Sequence, residues 1–152
     1  MDSESFSTTI LDIDSSLIGM KLLVSLTDIQ KSQLDEFVKG LCTKLEYTPS
    51  ENDFILIKIR ILAHYNMKFM SNNENQYIDI IQHVYDYFKD KDEKDFELQV
   101  IDYMHGDTFI MSKNDEIVKS MKSNLNNELF EFIQSNKDTY ASLINNMKKS
   151  TN

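Results

Sequence analysis

Histidine, cysteine and clustered aspartate are the side chains of this sequence that could do chemistry, and its three histidines are the natural candidates for a metal site or a proton shuttle. His64, His83 and His105 lie on different predicted elements. No two of them have the i, i+4 spacing that would bring two imidazoles to one zinc ion on a helix face. The spacing therefore predicts ordinary surface or packed histidines, with no metal bound.

An acidic stretch with Asp90, Asp92 and Asp95 offers the carboxylate oxygens that calcium prefers. An EF-hand loop that began at Asp90 would place Asp95 where glycine must make the turn. It would also place Ile101 where the bidentate glutamate is required. The stretch meets neither requirement, so we interpret it as a solvated connection between helices.

The single cysteine could be a nucleophile, and paired carboxylates could support acid–base catalysis. Cys42 lies beside the apolar stripe of a predicted helix, which favours a small buried hydrophobic residue. Pairs such as Asp12 with Asp14, or Glu128 with Glu131, are unavoidable among 25 acidic residues. We therefore expect no catalytic residue and no cofactor, and an enzyme is the last of three classes of function considered.

Composition limits the class of protein and its partners. The chain has 152 residues, 41% of them hydrophobic, and a formal net charge of −9. This acidity disfavours nucleic acid, since the only basic doublet is Lys148–Lys149. No apolar run approaches the roughly 18 residues of a membrane span, and the polar, acidic start (1–5) is unlike a secretory signal. We therefore expect a cytoplasmic protein that does not bind membranes.

The elements that would position any site are predicted to be helices. With only three glycines and one proline, the sequence has few of the turn residues that sandwiches and barrels need. The predicted helices cover about residues 15–26, 27–47, 50–70, 74–89, 96–106, 114–132 and 138–147. We expect an all-α fold of six or seven helices, either a short stack of antiparallel helix pairs or a compact bundle.

Two of these helices have clear start signals. Thr27 and Gln30 form a capping-box pattern, and Ser50 is placed as the N-cap of the next helix. That next helix, Phe54–Met70, is apolar on nearly every side, which predicts a position at the centre of the fold. Its β-branched residues also suit a strand, but its length and its caps favour a helix.

The ends of the domain and one connection are less regular. Residues 1–14 fit no single period, so we expect a loosely attached N-terminus followed by one domain over residues 15–148. The apolar residues 109–111 are expected to lie in the connection before the helix that begins at Asn114.

The fourth predicted helix carries apolar residues on more than one side. Its buried face is expected to comprise Tyr77, Ile78, Ile81, Val84, Tyr85 and Phe88. Ile80 and Tyr87 lie off that face and form a second apolar spot. Either another helix covers this spot, or Ile80, Tyr87 and the similarly placed Phe130 form part of a protein-binding surface.

One stretch resembles a known family. Residues 26–88 contain a Leu-Cys-x-Lys-Leu helix end at Leu41–Leu45, basic residues within the aliphatic run Ile57–Leu62, and a tyrosine-bearing helix after a polar turn. This pattern resembles the helical-repeat region of the PCI family, as found in translation initiation factor 3 subunit M. The resemblance implies a helical scaffold that binds other proteins, with no catalytic residues to carry over.

A second class of function needs no resemblance. Small, acidic, all-α proteins rich in Asn, Lys, Ile and Asp include viral Bcl-2-like decoys and bacterial inhibitor or immunity proteins, which present a groove or an acidic face. We rank this class behind the scaffold, because the Asn-Trp-Gly-Arg signature of cellular Bcl-2 relatives requires a tryptophan that the sequence lacks. Both classes predict a non-enzymatic protein–protein interaction module.

Overall fold

The computed structural model describes residues 3–72, 74–91, 96–122 and 125–150, and these ranges are almost entirely α-helical. The helices are α1 (Ser3–Ser25), α2 (Asp28–Lys44), α3 (Glu51–Asn72), α4 (Glu74–Phe88), α5 (Phe96–Gly106), α6 (Thr108–Lys122), α7 (Leu125–Ser135) and α8 (Lys137–Ser150). The all-α prediction is confirmed. None of these helices combines the length and the apolar character needed to cross a bilayer.

Local hydrogen bonds set where α2 and α3 begin. The Gln30 amide donates to Thr27 Oγ1 at 3.2 Å, and the Thr27 amide donates to Gln30 Oε1 at 3.0 Å, which completes the predicted capping box. The Asp53 amide donates to Ser50 Oγ at 3.1 Å. Both predicted caps are therefore confirmed.

The N-terminal expectation is wrong, because α1 begins at Ser3 and continues through residue 14. Every fourth residue of α1 is buried: Phe6, Ile10, Asp14, Ile18 and Leu22. Because the middle one of these buried positions is an aspartate, the hydrophobic repeat of α1 is not evident from the sequence. The Phe6 ring packs 5.6 Å from Tyr85 and 5.7 Å from Phe96, so the start of the chain is part of the core.

The described residues contain eight helices instead of six or seven, because the predicted helix over residues 114–132 is two helices. α6 begins at Thr108, so residues 109–111 are helical and do not form a connection. It ends at Lys122, and α7 begins at Leu125.

The prediction that α3 is central is confirmed. It packs against α1, α2, α4, α7 and α8, while α1 packs against α3, α4, α5 and α6. In a stack of helix pairs each unit touches only its neighbours in sequence. Here α1 contacts α5 and α6, and α3 contacts α7 and α8, so the arrangement is a compact bundle around α1 and α3.

Gly19 allows α1 and α3 to approach closely. A Cβ atom at Gly19 would lie 2.7 Å from the Ile59 carbonyl oxygen and 3.1 Å from the Ala63 amide nitrogen. Both are backbone atoms of α3, so they cannot move aside as a flexible side chain would. The absence of a side chain at Gly19 therefore sets the distance between the two central helices.

We expect Gly19→Ala to destabilise the protein by about 1–3 kcal/mol, because the methyl group would force α1 away from α3. Gly40→Ala is the matched control. Gly40 also lies within a helix but has no atom within 4 Å of its Cβ position, so alanine there should stabilise by up to about 1 kcal/mol. Urea denaturation of both variants measures the difference, and equal effects would contradict the close approach.

A cluster of buried polar side chains lies beside this contact. Asn66 of α3 donates to Ser15 Oγ at 3.1 Å, and the Tyr77 hydroxyl of α4 donates to Asn66 Oδ1 at 2.7 Å. Asp14, also fully buried, has the Asn114 side chain of α6 as its polar neighbour. Neither Asp14 oxygen nor Asn114 Oδ1 has a hydrogen-bond partner of good geometry among the described residues. Burial raises the pKa of Asp14 from 3.8 to about 7, against a smaller lowering by Asn114.

The raised pKa of Asp14 predicts a stability that depends on pH. The folded protein holds the Asp14 proton more tightly than the unfolded chain, so this group favours folding most below pH 4 and progressively less as the pH rises to about 7. The loss amounts to about 4 kcal/mol. Asp14→Asn, which is neutral at every pH, should match the parent at pH 4 and be more stable at pH 8. If the unfolding free energies of the two proteins changed by the same amount between pH 4 and pH 8, the raised pKa of Asp14 would be contradicted.

Candidate functional site

Helix α4 carries apolar side chains over about half of its circumference, and only the middle of this arc is buried. The middle residues are Tyr77, Ile80, Val84 and Phe88. One flank exposes Ile78 and Tyr85, and the other exposes Tyr87. Ile80, one of the three predicted binding residues, is 1% exposed, so it belongs to the buried face and is not accessible to a partner. For Ile80 the alternative that another helix covers it is therefore correct. The expectation that Ile78 and Tyr85 are buried is wrong. The reason is that α1, α3 and α6 all pack against α4. Together they cover the side of the arc that includes Ile80 and leave the side with Ile78 and Tyr85 exposed.

The other two predicted binding residues lie in different surroundings. Tyr87 is 46% exposed and lies off the buried face, as predicted. Phe130 is half-buried on α7 and packs against the core. α7 packs on α3, α6 and α8, whereas the neighbours of Tyr87 come from α4 and α5. Binding by Tyr87 or Phe130 stays a prediction.

Four stacked rings form what we term the aromatic row: Phe109, His83, Tyr103 and Tyr87. The centroids of His83 and Phe109 are 4.4 Å apart, those of His83 and Tyr103 are 6.0 Å apart, and those of Tyr103 and Tyr87 are 4.0 Å apart. Interplanar angles of 18–24° make these contacts stacked. The row therefore joins α4, α5 and α6, and both of its ends, Tyr87 and Phe109, are exposed.

Lysines lie at the two ends of the aromatic row and a phenylalanine supports it from inside. Lys91 Nζ lies 4.4 Å from the centroid of the Tyr87 ring, and Lys113 Nζ lies 5.5 Å from that of Phe109. Phe88, which is buried, meets Tyr87 edge-on at 4.8 Å and Tyr103 at 5.4 Å. Phe88 thus fixes the Tyr87 and Tyr103 end of the row to the core.

Asp107 fixes the middle of the aromatic row. Its Oδ1 lies 3.0 Å from His83 Nε2 and accepts a hydrogen bond from the Ile110 amide, which caps α6. Burial alone would raise the pKa of Asp107, but the hydrogen bonds from Ile110, His83 and Tyr103 outweigh it and hold that pKa below its usual value. Burial, followed by the hydrogen bond with Asp107, raises the pKa of Tyr103 to about 12.

The geometry around His83 differs from that of a catalytic relay. The Tyr103 hydroxyl oxygen lies 2.9 Å from His83 Nε2, the same nitrogen that faces Asp107. A relay needs the acid on one ring nitrogen and the nucleophile on the other. The contacts therefore hold the imidazole in the row and do not have the arrangement of such a relay.

The remaining chemical candidates are separate from one another. His64 Nδ1 lies 3.0 Å from the Tyr140 hydroxyl oxygen, and burial lowers the pKa of His64. Burial raises the pKa of Cys42, which disfavours the thiolate. His105 is exposed at the end of α5. Among the described residues no cluster of His, Cys, Asp or Glu could hold a metal ion. Most of the predicted acidic connection, residues 92–95, lies outside the described residues.

Sequence reasoning found one end of the aromatic row and missed the rest. Tyr87 was identified because it lies off the main apolar stripe of its helix. His83 precedes it by one helical turn, and this i, i+4 pair was the available signal. Tyr103 and Phe109 come from two other helices, and only the packing of α5 and α6 brings them to the row.

Comparisons with known protein families, curated proteins and solved structures found no match to this chain. The resemblance of residues 26–88 to the PCI helical repeats therefore stays a prediction.

We expect Asp107→Ala to lower the free energy of unfolding by about 1–2 kcal/mol, because it removes the cap of α6 and the partner of His83. Asp102→Ala is the matched control, since Asp102 is an exposed aspartate of the neighbouring helix α5. Thermal unfolding at neutral pH measures both. If the two variants have the same melting temperature, Asp107 does not organise the aromatic row.

Proposed function

We propose that this protein is a non-enzymatic interaction module that binds another protein through the aromatic row. The observation that carries the proposal is the row itself, four stacked rings across three helices with exposed aromatic ends. Aromatic side chains such as tyrosine and phenylalanine are enriched at protein interfaces, and tyrosine is among the residues that contribute most to their binding energy.

The rigidity of the aromatic row supports a binding role. Ordering a flexible side chain on binding costs about 0.5–1.5 kcal/mol. The rings here are already held by stacking, by Phe88 beneath them and by Asp107 in the middle. Little side-chain freedom remains to be lost when a partner covers Tyr87 and Phe109.

The chemistry of the other polar groups supports binding over catalysis. Tyr103 and Asp107 both face one nitrogen of His83, which does not form a relay. The pKa of Cys42 is raised, where a nucleophile needs a lowered one. A net charge of −9 favours a protein partner over nucleic acid.

Two forms of such a module are proposed. A cytoplasmic scaffold subunit in a multi-subunit complex is the form implied by the resemblance to translation initiation factor 3 subunit M. A small inhibitor, of the Bcl-2-like or immunity type, that binds and blocks a host or cognate protein is the second. The packing of α1 against α5 and α6 and of α3 against α7 and α8 favours the second form, because helical-repeat scaffolds are open stacks.

Tyr87→Ala tests the proposal. We expect it to lower the unfolding free energy by only about 1 kcal/mol, since the ring is 46% exposed, while it weakens capture of the partner about tenfold or more. Quantitative mass spectrometry of proteins that co-purify from the source cell measures capture, and Phe109→Ala should lose the same protein.

Tyr85→Ala is the matched control, because Tyr85 is on the same helix with 49% exposure but on the opposite flank. It should retain the partner. Loss of the partner with Tyr85→Ala and not with Tyr87→Ala would remove the aromatic row from the proposal, and a large drop in stability with normal capture would assign Tyr87 to the core.

A further inference from the structure

Three buried oxygen atoms at the contact of α1 with α6 have no hydrogen-bond donor among the described residues. They are both carboxyl oxygens of Asp14 and the Oδ1 atom of Asn114. Asp14 is 0% exposed and Asn114 is 1% exposed, so bulk water does not reach either side chain. A buried acceptor without a donor lowers stability, and folded proteins contain few of them. Three such atoms at one helix contact therefore need a physical explanation.

The surroundings of Asp14 are uncharged. Burial raises its pKa and Asn114 lowers it by less, and neither influence is a positive charge. α3 and α4 contribute the neutral Asn66 and Tyr77 to the polar cluster. Burial, followed by the charge of Asp14, raises the pKa of Tyr77, so its hydroxyl group keeps its proton. The buried residues of α5 are the apolar Val100 and Met104.

A single proton on Asp14 accounts for all three oxygen atoms. A protonated carboxyl group has one O–H donor, whereas a carboxylate has none. If this O–H donates to Asn114 Oδ1, that acceptor is satisfied and the carboxyl group is neutral. The side-chain amide of Asn114 has N–H donors for the other Asp14 oxygen. Acid and amide then satisfy each other.

We propose that the folded protein holds Asp14 as a neutral acid hydrogen-bonded to Asn114 Oδ1, and that ionisation of this acid–amide pair separates α6 from α1. A carboxylate cannot donate to Asn114 Oδ1, and here it would be buried without a neighbouring cation. It gains hydration only if the contact between the two helices opens. This pH-sensitive contact goes beyond the proposed binding function and does not depend on what the aromatic row binds.

The position of the acid–amide pair links it to the aromatic row. Asn114 lies on the buried face of α6 with Ile110, which precedes it by one helical turn. Phe109, one end of the row, is in the first turn of the same helix. Lys21 and Asp115 also join α1 to α6 at 2.8 Å, but their ion pair lies at the surface and contributes little. Separation of α6 from α1 therefore moves the Phe109 end of the row.

The direction of the pH effect follows from the two states of Asp14. Its pKa is about 7 in the closed contact and returns toward 3.8 when the contact opens and the group is hydrated. The closed contact therefore binds the proton more tightly and is favoured at low pH. Between these two values each pH unit favours the open contact by up to about tenfold.

Hydrogen–deuterium exchange of the full chain tests the acid–amide pair. The readout is the ratio of amide exchange rates in α6, parent over Asp14→Asn, because the variant is neutral at every pH. A ratio taken at one pH cancels the effect of pH on the exchange chemistry. It should rise about tenfold or more between pH 5 and pH 8. The same ratio in α2, which packs on α3 and α8, should not change.

The double variant Asp14→Asn with Asn114→Asp is the matched control. It keeps one acid and one amide and only exchanges their positions, so the rise of the α6 ratio should return. Carbon NMR of the aspartate carboxyl groups measures the proton directly. The signal that is missing from Asp14→Asn should be that of a protonated acid in the folded parent at pH 5.

Four results would overturn the proposal. A carboxylate signal from Asp14 at pH 5 would show that the acid is already ionised. A constant α6 ratio would show that ionisation does not separate the helices, and an equal rise in α2 would show a loss of global stability without local opening. If the double variant folds but its α6 ratio stays constant, position 14 alone is responsible and the pair is not. The first three results do not require the double variant to fold.

Discussion

The contact of Gly19 with the backbone of α3 is the constraint on which the rest of the bundle depends. Because no Cβ intervenes, α1 and α3 approach closely enough for the Ile59 carbonyl to face the Gly19 Cα. Ala63, the other small residue of this crossing, is also buried. Every other helix packs on one or both of these two helices or on a neighbour of them. A side chain at this crossing would separate the central pair and loosen everything placed on it.

The buried polar cluster of Ser15, Asn66 and Tyr77 lies one helical turn from that contact and sets the orientation of α4. Ser15 and Asn66 lie about one helical turn from Gly19 and Ala63, and Asn66 Oδ1 accepts a hydrogen bond from the Tyr77 hydroxyl. A buried tyrosine hydroxyl needs such a partner, so Tyr77 fixes how α4 rotates about its axis.

The rotation of α4 about its axis determines which of its apolar side chains are exposed. With the middle of its apolar arc buried, α4 presents Tyr87 on one flank and Ile78 on the other. The first flank is completed by rings from α5 and α6, and the second by methionines from α3 and a leucine from α1. One helix thus borders two surfaces of different chemistry, a row of stacked rings with lysines at its ends and an apolar groove lined by methionine and aliphatic side chains.

The sequence by itself determined the all-α class, the caps at Thr27 and Ser50, and the central position of α3, because these depend on local hydrogen bonds and on a helix that is apolar all round. It could not determine which part of the α4 arc is buried. An apolar arc of about half a turn is compatible with several rotations, and only the neighbouring helices choose among them. For the same reason the sequence grouped Ile80 with Tyr87 as one apolar spot, whereas the structure buries Ile80 and exposes Tyr87. A buried aspartate hid the period of α1, and the aromatic row unites three helices distant in sequence, so both were decided by tertiary packing alone.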